Sequence, residues 1–345
     1  MSAYIINLLI VFAIFLVTRA IKDKEKGKKI FLYLSFLELF LFLALRGLDV
    51  GADLRAYFNL YDNCNLYSLT DVFKFRYEKG YIFYTYVIAN FINNKQWFLV
   101  ITAFISLIGP LFAIKRYSKN YYLSVFVYIT FQFYVYNFYI LRQVMALSIV
   151  LLSIKFIEER KFIKFLLLVI LATLFHTSAI LFIAVYFISK IKINNKILVL
   201  LYGAVIGIVL FGDSIIKYIL GFIQNYAETG NNGGIPYFIV LFIVFLIATL
   251  VKNKFFTDKN DIMWYNILVI AILIQTLTLK LSILSRLNIY YTISIIMVLP
   301  NLLECFKDKR IKNIGEIAIV LMLTLYFINA LNDTNIYRNY HFFGD

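Results

Sequence analysis

The sequence predicts an all-α integral membrane protein, a polytopic helical bundle of about 10 to 12 transmembrane crossings with one or two short re-entrant helices. Hydrophobic residues make up 62% of the 345 positions, and apolar runs of roughly 17–25 residues recur along the chain. Short clusters of lysine and arginine separate these runs, as is typical of loops between membrane spans. The whole chain, 1–345, is therefore expected to form a single membrane-embedded domain.

The basic clusters predict how the chain is oriented in the membrane. The formal net charge is +15, but the excess lies in loops between apolar runs, so we expect no nucleic-acid partner. With these loops in the cytoplasm, the N-terminus starts outside. The first apolar run precedes its basic residues and is expected to be a retained span rather than a cleavable signal peptide. The clusters are Lys22–Lys29, Lys115–Lys119, Arg160–Lys164, Lys190–Lys196, Lys252–Lys259 and Lys307–Lys312.

The apolar runs supply the crossings. If the basic loops are all cytoplasmic, only one of the neighbouring apolar runs 81–93 and 97–114 can fully cross the membrane. We expect 81–93 to be the shorter one, a re-entrant or interfacial helix with Glu78 at its start. The same condition makes 162–189 a helical hairpin that turns near His176. Two polar intervals, 46–80 and 212–235, are then external loops, and the first carries part of the site. Full spans are expected at about 3–19, 30–46, 97–114, 121–139, 143–157, 197–211, 236–251, 262–279, 287–301 and 314–330.

A second set of charged residues is not explained by topology and gathers on the external side. Charges at the bilayer edge are costly unless they face a cavity or a partner, so they indicate function. An arginine-rich pocket suits phosphate or pyrophosphate, because a guanidinium binds such oxygens in a bidentate way. Interleaved carboxylates could act as general bases toward a hydroxyl. The set comprises Arg46, Asp49, Asp53, Arg55, Glu78, Arg142, His176, Lys280, Arg286 and Arg338.

Several of these residues also have a purely structural interpretation. Arg142 could lie between two spans and pair with Asp53 or Glu78. His176, inside an apolar run, could be a neutral histidine that is hydrogen-bonded to a backbone carbonyl. Asp49 and Asp53 could cap a short external helix that follows them.

The cysteines and histidines carry no metal signature. The chain has two of each, and Cys64 and Cys305 are expected on opposite faces of the membrane, so they should not pair. No CxxC or Cys/His cluster predicts a zinc site, and no GxGxxG or P-loop pattern predicts nucleotide binding. We therefore expect neither a metal nor a cofactor.

Five short motifs, taken in order, carry a resemblance to a known family. In these residues the sequence resembles the EpsG/Wzy-type family of polysaccharide polymerases, and order and spacing agree from about residue 40 to residue 300. Ala52 departs from the pattern, because the family usually has threonine there. The motifs are Arg46-Gly-Leu-Asp-Val-Gly-Ala-Asp53 with Tyr57 following, Glu78-Lys-Gly-Tyr81, Arg142-Gln-Val-Met-Ala146, Phe175-His-Thr-Ser-Ala179, and Arg286 with Tyr290.

The resemblance implies a metal-independent membrane glycosyltransferase with the helical fold called GT-C. Such enzymes lie in the bacterial inner (plasma) membrane, with the active site facing the periplasm or exterior. They transfer a growing glycan from undecaprenyl pyrophosphate to another lipid-linked repeat unit. The implied partners are the bilayer, the lipid-linked oligosaccharide and, as a further candidate, a separate chain-length co-polymerase.

Carried over residue by residue, the resemblance also implies roles for the charged set. Arg142 and Arg286 would hold the pyrophosphate and stabilise its departing charge. His176 would donate a hydrogen bond to the same phosphates, and Asp53 or Glu78, with Glu78 preferred, would accept the proton of the acceptor hydroxyl. The residues expected to bind substrate are Arg46, Tyr57, Tyr81, Gln143, Tyr290 and Arg338.

Two alternatives use the same lipid-linked donor. A flippase or other transporter would need a cationic cavity that opens to both faces, whereas the unexplained charges here are nearly all external. An O-antigen ligase would use a different acceptor and is expected to carry a larger external loop late in the chain. A membrane O-acyltransferase fits less well, because His176 lacks the expected partner residues.

Overall fold

The computed structural model describes residues 2–220, 234–255, 258–331 and 340–344, and the regular secondary structure of this part of the chain is helical. This confirms the predicted all-α class. The α-helices are α1 (Ser2–Arg19), α2 (Lys24–Ala44), α3 (Leu54–Leu66), α4 (Leu69–Val72), α5 (Lys79–Phe91), α6 (Lys95–Tyr117), α7 (Tyr121–Thr130), α8 (Leu141–Glu158), α9 (Phe162–Thr173), α10 (Ile183–Ile188), α11 (Asn195–Leu220), α12 (Ile235–Leu250), α13 (Lys252–Phe255), α14 (Lys259–Thr278), α15 (Leu284–Thr292), α16 (Ile295–Glu304) and α17 (Lys309–Ala330).

The helices group into two compact units. The first comprises Met1–Ile180 with Phe306–Asp345, and the second comprises Leu181–Cys305. The assignment of the whole chain to one domain stays a prediction. In the first unit α6, α8 and α9 pack side by side, and in the second α14 packs on α11, α12, α15 and α16.

The candidate membrane spans agree with the predicted apolar runs. Several shorter apolar helices accompany them, including α7, α9 and α12. Together they make the protein a polytopic membrane bundle, while the number of crossings stays a prediction. Within the described residues, the helical stretches long and apolar enough to cross a membrane are Lys95–Tyr117, Asn195–Ser214, Lys259–Thr278, Leu284–Glu304 (α15 with α16) and Lys309–Ala330.

Short polar side chains determine where several helices begin. Asp23, Asn94, Asn120, Asp258 and Asp308 each precede a helix, and each side chain accepts a hydrogen bond from a backbone N–H two or three residues later. Such caps satisfy donors that the first helical turn leaves unpaired. The helices that follow therefore start where the sequence changes from polar to apolar.

Two predicted spans are broken rather than continuous. The run 121–139 forms α7 only to Thr130 and then a 3₁₀ helix, Val135–Phe138, after Gln132 adopts a positive φ of 69°. The run 287–301 is divided between α15 and α16, because Ser294 donates its backbone N–H to Tyr291, three residues back. Such i→i+3 bonds tighten the chain and interrupt an α-helix.

The interval 46–80, predicted as an external loop, contains α3 and α4. The apolar residues of α3, Leu54, Tyr57, Tyr61 and Cys64 among them, recur at helical spacing and are buried with those of α5. Asp53 precedes α3, but its side chain makes no capping hydrogen bond, so the capping interpretation of Asp53 is wrong. In the interval 212–235, α11 continues to Leu220, and residues 221–233 lie outside the described residues.

The C-terminal residues 340–344 pack against the end of α2. The ring of Tyr340 stacks on Phe42 with centroids 3.9 Å apart, and its hydroxyl donates to the Phe42 carbonyl at 2.7 Å. The backbone N–H of Gly47 donates to the His341 carbonyl at 2.9 Å. His341 Nε2 lies 3.0 Å from Asp49 Oδ1. Asp49 therefore contacts the C-terminal segment rather than capping α3.

A close crossing of α6 and α8 holds α8 in position. Gly109 of α6 faces Ser148 of α8, and its backbone N–H donates to the Ser148 hydroxyl at 2.8 Å. Small residues allow this approach, as is common between membrane helices. At the C-terminal ends of the same two helices, Arg116 pairs with Glu158 at 2.9 Å. Arg142 lies at the other end of α8.

We expect Gly109→Ala to lower the stability of the protein. An added Cβ would overlap the backbone carbonyl and Cα of Ser148, and relieving such overpacking costs about 1–3 kcal/mol. The measurement is the melting temperature in detergent. Gly207→Ala is the matched control, because a Cβ there meets nothing within 4 Å and alanine favours helix. Equal melting temperatures for the two variants would contradict the close crossing.

Candidate functional site

One carboxylate lies between a guanidinium and an imidazole at the N-terminal end of α8. Glu78 Oε2 forms an ion pair with Arg142 Nη1. Glu78 Oε1 lies 3.1 Å from His176 Nδ1 and accepts a hydrogen bond from the Thr177 backbone N–H at 3.3 Å. The side chains of Glu78, Arg142 and His176 are 14%, 27% and 21% exposed. The cluster is thus mostly buried but can be reached from outside the protein.

Three separate helix termini bring these side chains together. Glu78 immediately precedes α5, Arg142 is the second residue of α8, and His176 follows the end of α9. The end of α9 contacts the start of α5 directly, since the Tyr81 backbone N–H donates to the Leu174 carbonyl at 3.1 Å. Groups at helix ends are held by the helices and still project beyond them, which suits a binding site.

Tyrosines surround the guanidinium of Arg142. Its Cζ lies 5.0 Å from the ring centroid of Tyr77, a cation–π distance. Tyr57 is close enough to hydrogen-bond with Arg142, and its ring packs on Tyr81 with centroids 5.6 Å apart. Arg142 Nε and the Tyr81 hydroxyl are both buried and have no hydrogen-bond partner among the described residues.

The surroundings of Glu78 keep its carboxyl group ionised. Burial on its own raises the pKa, but the hydrogen bond from His176 and the charge of Arg142 outweigh burial and lower the pKa of Glu78 to about 2. A carboxylate with so low a pKa is a weak proton acceptor at neutral pH. Glu78 is therefore better suited to hold Arg142 and His176 than to remove a proton.

Comparison with protein-family models matches the EpsG family over residues 29–343, nearly the whole chain. The chain belongs to the EpsG family. The family confirms the resemblance found in the sequence motifs and makes this a membrane protein of polysaccharide biosynthesis. Comparisons with curated proteins and with solved structures find no match.

Five of the predicted site residues of this EpsG-family protein meet at one place: Glu78, Arg142, His176, Tyr57 and Tyr81. Of the two carboxylates considered for Arg142, Glu78 is the partner. His176 contacts a carboxylate through Nδ1, so its interpretation as a histidine bonded only to a backbone carbonyl is wrong.

Arg46 lies in a different environment from Arg142. It is 1% exposed, its Nη1 donates to the Asn137 carbonyl at 2.9 Å, and its Cζ lies 4.9 Å from the Phe138 ring centroid. These contacts hold the 3₁₀ helix Val135–Phe138 and support a structural role. Substrate binding by Arg46 stays a prediction.

The other predicted residues that the structure describes have no contact with this cluster that bears on their roles. Asp53 is exposed at the start of α3, and Gln143 is buried in the first turn of α8. In the second unit of this EpsG-family chain, Arg286 is exposed on α15 and Tyr290 is buried one turn later. Arg338 lies outside the described residues. The roles proposed for these five residues stay predictions.

Two contacts of the site could not be found by sequence reasoning. The ring of Tyr77 makes a cation–π contact with Arg142, and the Thr177 backbone N–H donates a hydrogen bond to Glu78. Tyr77 directly precedes Glu78, yet nothing distinguishes it from the other 26 of the 27 tyrosines. Across residues 2–220, 234–255, 258–331 and 340–344, no group of three or more His, Cys, Asp or Glu is placed to hold a metal ion.

Proposed function

We propose that this EpsG-family protein is a polysaccharide polymerase, a glycosyltransferase that joins oligosaccharide repeat units carried on undecaprenyl pyrophosphate. The glycan would pass from its lipid pyrophosphate to a hydroxyl of another lipid-linked unit. The family supports a polysaccharide-biosynthesis membrane protein, and the Arg142 cluster supplies groups suited to this transfer. The bilayer and the lipid-linked oligosaccharide are its partners, and a chain-length co-polymerase is a candidate third.

The observation that carries the proposal is the set of donors around Arg142 that lack a protein partner. Arg142 Nε and the Tyr81 hydroxyl are buried and unsatisfied within the described residues. A buried donor without a partner costs about 1–3 kcal/mol, and an acceptor group of a bound ligand would satisfy it. Phosphate oxygens suit this pair, because a guanidinium binds them through charge-assisted hydrogen bonds.

The placement of basic residues supports a site on the outer face of the membrane. Arg142 lies at the N-terminal end of α8, and Glu158 at its C-terminal end pairs with Arg116, which lies in the last turn of α6 within the basic cluster Lys115–Lys119. Lysine- and arginine-rich loops are typical of the cytoplasmic side. Since α8 joins the two ends, the proposed site opens toward the periplasm or exterior.

The proposed reaction replaces one bond at the anomeric carbon with another. The acceptor hydroxyl oxygen forms a bond to that carbon, the bond to the pyrophosphate oxygen breaks, and the electron pair leaves with the lipid pyrophosphate. Arg142, fixed by Glu78 and Tyr77, stabilises the charge that develops on the leaving group. Arg286 stays a candidate for the same role. The partly exposed ring of Tyr77 offers a surface for a sugar.

The test uses purified protein in nanodiscs with a lipid-pyrophosphate-linked repeat unit and no nucleotide sugar. We expect a ladder of longer lipid-linked glycans from the wild type and a rate about 100-fold lower from Arg142→Ala, as when one oxyanion donor is lost. Arg310→Ala is the matched control, because Arg310 is an exposed arginine at the start of α17. Its ladder should equal that of the wild type.

Three outcomes would contradict the proposal. No ladder, but movement of the lipid-linked unit across liposomes, would indicate a transporter. Transfer only to an acceptor other than a repeat unit would indicate a ligase. A ladder that survives unchanged in Arg142→Ala would leave the polymerase but remove Arg142 from its site.

A further inference from the structure

We infer that His176 is the general base of the transfer, with its Nε2 atom taking the proton of the acceptor hydroxyl and Glu78 orienting the imidazole. The inference rests on the proposed polymerase function and deepens it. It replaces the expectations that Glu78 or Asp53 is the base and that His176 only donates a hydrogen bond to phosphate.

The contact between Glu78 and His176 determines which ring nitrogen carries the hydrogen. An ionised carboxylate can only accept hydrogen bonds. Glu78 is ionised by its ion pair with Arg142, so the 3.1 Å contact with Nδ1 requires that Nδ1 be the donor. A neutral imidazole with its hydrogen on Nδ1 has its lone pair on Nε2. Nε2 is then the atom able to accept a proton.

Both oxygens of Glu78 are already occupied. Oε2 binds Arg142, and Oε1 accepts from His176 and from the Thr177 backbone N–H. A substrate hydroxyl at Oε1 would have to displace one of these donors, and at Oε2 it would share the oxygen with Arg142, whose positive charge makes that oxygen a weaker base. His176 needs no such displacement, because its side chain is 21% exposed and no described residue is bonded to Nε2.

Backbone hydrogen bonds hold the segment that carries His176. Its N–H donates to the Ala172 carbonyl at 3.0 Å, which ends α9, and its carbonyl accepts from Ala179 at 3.0 Å, which starts the 3₁₀ helix Thr177–Phe182. The preceding ring, Phe175, packs on Tyr84 of α5, and Tyr84 is hydrogen-bonded to Thr102. Among the described residues, the charged groups beside His176 are Glu78 and, across it, Arg142.

One carboxylate then organises both halves of the reaction. The acceptor oxygen bonds to the anomeric carbon as its proton moves to His176 Nε2, and the bond to pyrophosphate breaks with the electron pair leaving beside Arg142. The imidazolium formed is stabilised by Glu78, as an aspartate stabilises the histidine of a serine-protease triad. The proton is afterwards released to water, so no further reactant is needed.

The test compares pH–rate profiles of ladder formation for the wild type, His176→Ala, His176→Gln and Asp53→Asn. The wild-type rate should fall in acid, because a protonated imidazole cannot accept the proton of the acceptor hydroxyl. Both His176 variants should be about 100-fold slower or more, without that fall. Added imidazole should restore part of the His176→Ala rate, which a purely structural role would not allow. His341→Gln, at the only other histidine of the chain, should keep the wild-type profile.

The outcomes separate this inference from the function on which it rests. A wild type that makes no ladder would overturn the polymerase and the inference with it. If the wild type polymerises, and the His176 variants keep at least a tenth of its rate and an unchanged pH–rate profile, only the inference is overturned. If Asp53→Asn, and not the His176 variants, removed the fall in rate at low pH, Asp53 would be the group that accepts the proton of the acceptor hydroxyl. Lipid-pyrophosphate binding within a few-fold of the wild type would show that the His176 variants are folded.

Discussion

Glu78→Gln is expected to reduce polymerising activity by about three orders of magnitude or more while the protein remains folded. The substitution keeps the size of the side chain and removes its charge. Arg142 then loses its ion-pair partner, and the single amide oxygen can no longer accept from both Arg142 and His176. In serine proteases, the same change at the residue that orients the histidine costs about 10⁴-fold in rate.

The opposite end of α8 offers a matched control. Glu158 pairs with Arg116 at 2.9 Å, with side chains 34% and 36% exposed. Exposed ion pairs contribute about 0–1 kcal/mol, so Glu158→Gln should leave both the ladder and the melting temperature nearly unchanged. If the two glutamine variants had equal activity, the charge of Glu78 would have no role in the reaction.

Glu78→Gln should also differ from the wild type in stability, by an amount that depends on pH. The pKa of Glu78 is lowered to about 2, so its ion pair stabilises the fold fully above the ordinary carboxyl pKa near 4.3. That stabilisation is lost as the pH falls from about 4.3 toward 2, and at neutral pH it amounts to at most roughly 3 kcal/mol. The melting temperatures of wild type and Glu78→Gln should therefore differ at pH 7 and converge in acid.

Glu78 and His176 are expected to act as one unit. If Glu78 works through the imidazole, the double variant Glu78→Gln/His176→Ala should be scarcely slower than His176→Ala alone, because residues in one catalytic unit are strongly non-additive. Multiplicative losses would indicate that Glu78 acts mainly through Arg142. The measurement is the initial rate of ladder formation at pH 7 for the two single variants and the double.

The sequence predicts most of the helices because membrane spans obey a simple length rule. Apolar runs of about 20 residues become helices, and asparagine or aspartate caps mark where α6, α14 and α17 begin. The breaks inside 121–139 and 287–301 were missed, since no proline or glycine marks them at Gln132 or Ser294. Local hydrogen bonding decides these breaks, and the apolar pattern does not record it.

The sequence singles out charged residues of which three lie together in the structure, but it does not predict how they pair. Charged residues that topology cannot explain include Glu78, Arg142 and His176, and these three meet. Which carboxylate pairs with which cation depends on contacts across 64 and 98 residues of sequence. The same reasoning grouped Arg46 with the site, although its guanidinium is bonded to the Asn137 carbonyl. Charge alone does not distinguish a buried structural arginine from one that binds a ligand.

Gly80→Val is expected to abolish polymerising activity by separating Glu78 from His176. A Cβ at position 80 would lie 2.6 Å from Leu174 Cβ and 2.8 Å from the Leu174 carbonyl oxygen. Real Cβ atoms do not approach so closely, so the start of α5 must move away from the end of α9. That movement breaks the 3.1 Å hydrogen bond from the Tyr81 N–H to the Leu174 carbonyl.

The consequence for catalysis follows from the position of Glu78, two residues before Gly80. Its carboxylate spans the gap between α5 and His176 with a contact of only 3.1 Å, and a displacement of about 1 Å removes that contact. Misplacements of this size cost about 10²-fold in rate, and loss of the His176 orientation adds to this. Gly80→Ala should show a smaller loss in the same direction, since it lacks the two branching methyl groups.

Gly203 supplies the control, because an added Cβ there meets nothing within 4 Å. Gly203→Ala should keep full activity, with a melting temperature equal to that of the wild type or slightly higher. A Gly80→Val protein that still polymerised at the wild-type rate would mean that α5 and α9 need not touch for the reaction. The bond between Glu78 and His176 would then be incidental, and the base would have to be sought among groups that α5 does not position.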